Sequence, residues 1–189
     1  MADAVQIPAF APVEHQLQNG VTITIRPIEP GDAPALQHLF GRLSARSIYQ
    51  RYFHQQPSLS IEQARYFAEV DFVNRVALVA LDPEDPNEII AVVRYDLDRD
   101  NTAEYAAVVV DQWQGKGIGL AMTRRLVEIA RAQGLRAFYA LVLPGNRLML
   151  ALFKVLGLPE EQHYEDGFER IDILLQPDES DHQVEELTP

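Results

Sequence analysis

The stretch Val108–Gly119 (VVVDQWQGKGIG) constrains this chain more than any other. An apolar run of strand type enters a loop with three glycines in five residues, and a long amphipathic helix, Leu120–Ala132, leaves it. A strand that hands directly to such a helix belongs in a layered α/β arrangement. The first turn of a helix carries unpaired N–H groups and a partial positive charge. Gly117 and Gly119 remove the side chains that would hold an anion away from those groups, which suits a phosphate or pyrophosphate. A tight strand-to-helix turn with no ligand is the plainer account of the same glycines. Two common phosphate loops are excluded. The dinucleotide fingerprint would need glycine at Leu120 or Met122, and no G-x-x-x-x-G-K-[ST] occurs. What remains is Q-x-x-G-x-G, formed by Gln114, Gly117 and Gly119.

The rest of the chain supplies the layers. Residues 1–19 read as an N-terminal arm, of which His15–Leu17 can pair back across the Gln18-Asn19-Gly20 turn onto the alternating strand Val21–Arg26. Asp32 is placed to cap a helix whose buried face is Leu36, Leu39, Phe40 and Leu43. A second helix is predicted over Ala45–Phe53, and a third opens at Ser60 with Gln63 completing a capping box. Strands follow at Arg75–Leu81, Glu88–Leu97 and Glu104–Val110. After the glycine loop and its helix come a strand at Arg136–Leu143, a helix at Asn146–Leu156 and strands near Gln162–Glu165 and Arg170–Leu175. This order predicts an α/β (α+β) domain over 20–176, a central mixed, mostly antiparallel sheet flanked by helices.

Charge and composition narrow the function. The 189 residues carry a net charge of −12, and the segment 177–189 reads as an acidic mobile tail with five acidic residues and no Lys or Arg. Such a balance argues against nucleic acid and anionic membranes as partners. There is no cysteine, so disulfides, a thiol nucleophile and Cys-ligated metals are excluded. The five histidines are scattered without H-E-x-x-H, and Asp96–Asp100 lacks the glycine and glutamate of a calcium loop, so no metal site is predicted. No apolar run is long enough to span a bilayer and no signal segment is evident, which predicts a cytoplasmic protein.

Gln114-Gly115-Lys116-Gly117-Ile118-Gly119 resembles the acetyl-CoA pyrophosphate loop of the GNAT superfamily of N-acetyltransferases. Val109–Trp113 looks like that family's fourth strand. Asn146, Leu148–Leu152 and Lys154–Leu158 are similar to its later helix and Leu-Gly-Phe ending. Val21–Pro27 with Pro30–Ala33 resembles its first strand and the start of its first helix. Gly20–Pro27, Gly31–Phe40 and Arg42–Phe53 further resemble the GNAT domain of bacterial protein-lysine acetyltransferases.

The resemblance implies a GNAT-like fold and acyl transfer from acetyl-CoA, a co-substrate, to a primary amine. The acceptor it suggests is a protein lysine. Small amines such as a polyamine, an amino acid or an antibiotic are the alternative acceptors, and a non-catalytic acyl-CoA sensor is the alternative function. A homodimer is compatible with such folds. An amine of pKa near 10.4 is protonated at neutral pH, so a base must take its proton. Glu104, at the start of the strand leading to the loop, is the expected general base. A backbone N–H from Val108, Val109 or Val110 is expected to hold the oxyanion if the strand bulges there, and Val109 to pair with the pantetheine amides. Gln114, Gly115, Lys116, Gly117, Ile118, Gly119 and Leu120 are expected at the pyrophosphate, and Asn146 at the pantetheine arm. Arg124 or Arg125 is a further candidate for the phosphates. Where many members have a tyrosine after the asparagine, this chain has Phe153, leaving Tyr164 or no group as the acid. Arg42, Arg46 and Arg51 with Tyr49 and Tyr52 read as a charged helix face rather than a substrate groove.

Overall fold

The apolar runs of the sequence dictate a sheet buried on both faces. In VALVAL, Val76, Leu78 and Ala80 pack to one side and Ala77, Val79 and Leu81 to the other, the pattern of a central strand. The computed structural model describes residues 10–165 and 167–176; the acidic segment 177–189 lies outside them. Eight strands form one sheet: β1 (Val13–Gln16), β2 (Thr22–Pro27), β3 (Arg75–Leu81), β4 (Ile89–Leu97), β5 (Thr102–Val109), β6 (Ala137–Val142), β7 (Glu160–Glu165) and β8 (Phe168–Leu174). Their order is β1-β2-β3-β4-β5-β6-β8-β7. Every pairing is antiparallel except β5 with β6. A parallel pair needs a crossover, and α4 (Ile118–Ala132) supplies it.

Two cores result. α1 (Ala33–Gly41), α2 (Ala45–Tyr52) and α3 (Ile61–Ala68) cover one face, where Leu36, Leu39, Phe40 and Ile48 meet Val79 and Val92. α4 and α5 (Arg147–Leu156) cover the other, where Met122, Leu126 and Phe153 meet Val93, Tyr95 and Phe138. Burying each such side chain contributes about 1.5–3 kcal/mol. Trp113 packs against both cores at the end of β5.

The capping box predicted at Ser60 and Gln63 is present in both directions. At Asp32 the expectation fails in detail. Its carboxylate makes no cap bond to α1; it accepts the N–H of Glu29 at 2.8 Å and both ends of the Arg26 guanidinium at 2.7 Å. A bidentate arginine outcompetes one helix N–H for the same oxygens. Within the arm, Val13–Gln16 is an edge strand on β2 and Leu17 is buried, so the sheet takes in part of what reads as an extension.

Candidate active site

The site forms where the sheet stops pairing. On its β4 side β5 is zipped from Ala103 to Val109 against Leu97 to Ala91. On its β6 side only Thr102, Ala103 and Glu104 are paired, with Ala137, Phe138 and Tyr139. Past Glu104 the two strands part. Val110 donates its N–H to the Ile90 carbonyl at 2.9 Å. By the alternation of an antiparallel ladder, the backbone groups of Val108, Ala106 and Glu104 then also point at β4, and those of Ala107 and Val109 point into the gap.

This corrects the expected origin of the oxyanion donor. The β4–β5 register is continuous, with no bulge at Val108–Val110. Divergence from β6 instead leaves the N–H groups of Ala107 and Val109 facing the gap. Val110 spends its N–H on β4, is 2% exposed and does not line the gap.

A cavity of ≈ 350 Å³ fills the gap, within the range of small-molecule sites. One wall is β5 from Glu104 to Val109. The opposite wall is β6 at Ala140 and Leu141 with the α5 residues Asn146, Leu148, Met149 and Leu152. α5 is apolar nearly all round (RLMLALFKVL), yet only Phe153 is fully covered. Part of its remaining apolar surface, including Leu148 at 54% exposure, is the wall of the slot.

One end of the cavity is the glycine loop. Gly115 and Gly117 sit at φ 72° and 85°, a conformation that favours glycine. Gly117 is the N-cap of α4 and supplies no side-chain cap, so the leading N–H groups of that helix face outward unpartnered by side chains. Gly115, Gly117, Ile118, Gly119 and Leu120 all line the cavity. Gly119 has a packing role as well, because a Cβ there would lie 3.2 Å from Leu152 Cδ1. Lys116 does not line the cavity; its ammonium stacks on Trp113 at 4.3 Å. Arg125 donates to the Ala11 carbonyl, holding the N-terminal segment rather than lining the slot.

Gln114 lines the cavity, but its side-chain NH₂ is spent internally, on the Val109 carbonyl at 2.9 Å and on Ser47 Oγ at 3.1 Å. Ser47 donates in turn to Asp111, which also accepts the hydroxyl and N–H of Ser44. Burial opposes the charge on Asp111, but these bonds from Ser44 and Ser47 outweigh it and hold the carboxyl below its ordinary value. The network ties α2 to the loop. It brings Ser47, Gln50, Arg51 and Phe53 into the cavity lining, all of them missed as site residues by sequence reasoning.

At the other end stands Glu104, exposed to the cavity. Asp96 faces it directly on β4, an unfavourable like-charge pair. Asp96 is engaged by Arg75 at 3.4 Å and Arg94 at 3.3 Å. Glu104 has no hydrogen bond or ion pair among the described residues. On β6 its neighbour is Tyr139, whose phenol burial pushes up to about 12, with Glu104 and Asp98 adding to the effect. That hydroxyl donates to Asp98 at 3.2 Å.

Asn146 caps α5 by accepting the Met149 N–H at 3.3 Å and lines the slot. Phe153 turns into the core, edge-on to Tyr105 at 5.5 Å. The Tyr105 hydroxyl is held by Thr123 at 2.7 Å, and Thr123 donates to the Gly119 carbonyl. Tyr164 is 72% exposed and outside the cavity. Among the described residues no three acidic or histidine side chains are grouped to hold a metal, and no helix is long and apolar enough to cross a membrane.

A parted parallel pair with a thin apolar slot, closed at one end by an uncapped helix N-terminus, has the shape and dipole that suit a long ligand ending in phosphates. The family model described as "Acetyltransferase (GNAT) family" matches residues 43–158, and the chain belongs to that family of acetyl-CoA-dependent N-acetyltransferases. It is 27% identical over 173 residues to "Acetyltransferase PA5475" of Pseudomonas aeruginosa, covering 88% of this chain and 93% of that one. It is 29% identical over 160 residues to "Acetyltransferase Pat" of Mycolicibacterium smegmatis, covering 80% of this chain but 46% of that longer protein. The crystal structure of the GNAT domain of S. lividans PAT superposes with a TM-score of 0.79 at 34% identity, covering 86% of this chain and 96% of that one.

Proposed function

We propose that the protein moves the acetyl group of acetyl-CoA to a lysine amine by direct attack, with Glu104 as general base. The observation that carries this reading is the parting of β5 from β6 at Glu104. It sets a carboxylate without a partner and a free backbone donor at one stretch of the slot, and puts the uncapped α4 N-terminus at the other end. From Glu104 to Val109 the strand runs about 17 Å, at roughly 3.3 Å per residue. The pyrophosphate would rest on the N–H groups of Gly117–Leu120. The pantetheine amides would pair with the Val109 N–H and the Ala107 carbonyl, which face the gap, as an added strand does, with the Asn146 NH₂ opposite.

Glu104 takes the amine proton, directly or through one water. The amine nitrogen bonds to the thioester carbon, and the oxyanion accepts from the gap-facing N–H of Ala107, about 10 Å along the strand from Glu104. Collapse breaks the carbon–sulfur bond. A thiol of cysteine-like pKa leaves as thiolate without severe cost, so the chemistry does not depend on an acid at Phe153. Lysine as the acceptor is supported by the resemblance over Arg42–Phe53 and by the likeness to Pat and to the PAT domain.

The test is Glu104→Gln, assayed with acetyl-CoA and a panel of amines, peptides and acyl-CoA synthetases, following thiol release and acceptor mass together. We expect turnover to fall about 10²–10⁴-fold with the acetyl-CoA Kd unchanged. Undiminished turnover would remove Glu104 from the base role. Tight acetyl-CoA binding with no release on any acceptor would shift the reading to a sensor.

A further inference from the structure

A second, smaller cavity lies beside the first on the α1–α3 face of the sheet, and the two share Arg51, Ala106 and Val108 in their linings. Its volume is ≈ 30 Å³, room for a group of two or three heavy atoms. Leu36, Leu39, Leu59 and Phe67 make it apolar, yet Arg51, Tyr52 and Arg94 also line it.

Arg94 is out of place by every local rule. It sits in the apolar run of a central strand and is 5% exposed. Its Nε is buried with no partner. Of its other nitrogens, one reaches the Phe67 carbonyl at 3.4 Å and one reaches Asp96 at 3.3 Å. Both are long for bonds from a charged donor, which favour about 2.7–2.9 Å. Asp96 is shared with Arg75 and is 45% exposed. Arg51 forms no ion pair among the described residues and stacks on Tyr52. Two guanidiniums, those of Arg51 and Arg94, therefore line an apolar pocket, and the one carboxylate near them is half-exposed, bonded to Arg94 alone of the two and shared with Arg75 outside the pocket. Burial pushes Arg94 below its ordinary value, and Arg51 and Arg75 add to that push. A buried charge left this short of acceptors is costly, and an anion in the pocket would relieve it.

We infer that the pocket between Arg51 and Arg94 is a carboxylate subsite for the acceptor, so that the amine acetylated belongs to a molecule carrying a carboxylate close by. The position fits. Arg94 faces Ala106 across the β4–β5 ladder, and Ala106 follows Glu104 on the same face, about 7 Å along the strand. A carboxylate held by Arg51 and Arg94 puts an amine a few bonds away within reach of Glu104. The inference rests on the acetyl-transfer reading for the amine, while the subsite itself stands on the incompletely paired Arg94 guanidinium and on Arg51, which has no ion pair among the described residues.

Two measurements on the full chain test it. The first needs no turnover. At constant ionic strength, propionate should raise Tm by about 2–4 °C at several times its Kd, and propionamide should not. Arg94→Met and Arg51→Met should each abolish that rise. Arg94→Met should fold at least as stably as the parent, because it removes an incompletely paired buried charge, and Arg51→Met supplies the same test from the pocket rim. No rise with propionate, an equal rise with propionamide, or a rise retained in both variants overturns the inference.

The second measurement compares acceptor pairs that differ only in a carboxylate or its amide. Free α- and ω-amino acids are set against their carboxamides, and lysine peptides with a neighbouring Glu against those with Gln. Carboxylate members should be preferred by about 10- to 100-fold in kcat/KM, and the preference should vanish in both variants. Which series shows it tells a small acceptor from an acidic protein site. Equal rates within every pair overturn the inference. If no acceptor turns over, the acetyl-transfer reading has failed, and the propionate measurement alone decides the subsite.

Discussion

The two flanks of β5 are built from the same residues and do opposite things. Toward β4, a continuous ladder from Ala103 to Val109 fixes the strand. Toward β6, pairing ends at Glu104, and the backbone of Ala107 and Val109 is left facing a slot. A sheet here makes a binding site by withholding hydrogen bonds. The groups that would recognise an extended ligand are main-chain atoms, held rigid because their neighbours one residue away are bonded on the other flank.

Proline substitution separates the flanks most sharply. Val108→Pro removes an N–H given to β4 in the middle of the sheet, and we expect it to cost about 3 kcal/mol or more, read by denaturant unfolding. Ala107→Pro removes an N–H that faces the gap. It should keep Tm within a few degrees but lower kcat about 10²–10³-fold, the loss typical of one oxyanion donor. Equal stability of the two variants would show that the alternation is assigned to the wrong residues. A smaller effect is expected at the loop end. Gly119→Ala places a Cβ against Leu152, and acetyl-CoA affinity should fall about tenfold. Leu152→Ala on that background should restore part of it; no rescue would disconnect the loss from this contact.

The smallest effect is at Asp111, which joins α2 to the mouth of the slot. Asp111→Asn should lower stability by about 1 kcal/mol, since the residue is exposed and its bonds are partly replaced by water. A carboxylate whose folded pKa is depressed contributes stability above its unfolded value, and loses it as pH falls through the folded one. The difference between parent and variant should therefore be full above about pH 4 and shrink toward more acid solution. A difference independent of pH would mean that the Ser44 and Ser47 bonds do not favour the charged form.

Much of this was legible in advance, and the reasons for the remainder are physical. Strand–loop–helix at Val108–Gly119 declares itself because apolar alternation, glycine and helix periodicity change within a few residues. Ser60 with Gln63 declares itself because both partners lie in one turn. The parting of β5 from β6 does not. β6 reads as an ordinary strand, and where its pairing with β5 stops is set by tertiary packing that neither strand's residues record. The bulge on which a donor at Val108–Val110 was conditional is absent from the β4–β5 ladder; a free donor can come from a missing neighbour as well as from an irregular strand. Arg51 and Tyr52 read as a charged helix face because helix periodicity cannot say that a cavity lies on the far side. Two local signals were available and went unread. Arg94 interrupts an otherwise apolar central strand, and α5 is more apolar than one buried face requires.

The Asp111 network has a consequence for the order of events. In the proposed reaction, one carboxylate grips both the helix that would border the acceptor and the loop that would border the donor. Whatever stills the loop spares the acceptor part of the entropy of stilling α2, and the saving must run both ways by the same factor. Donor and acceptor are in this sense partners before they react, each paying down the other's disorder. Slower amide exchange along α2 on addition of CoA alone would be its signature.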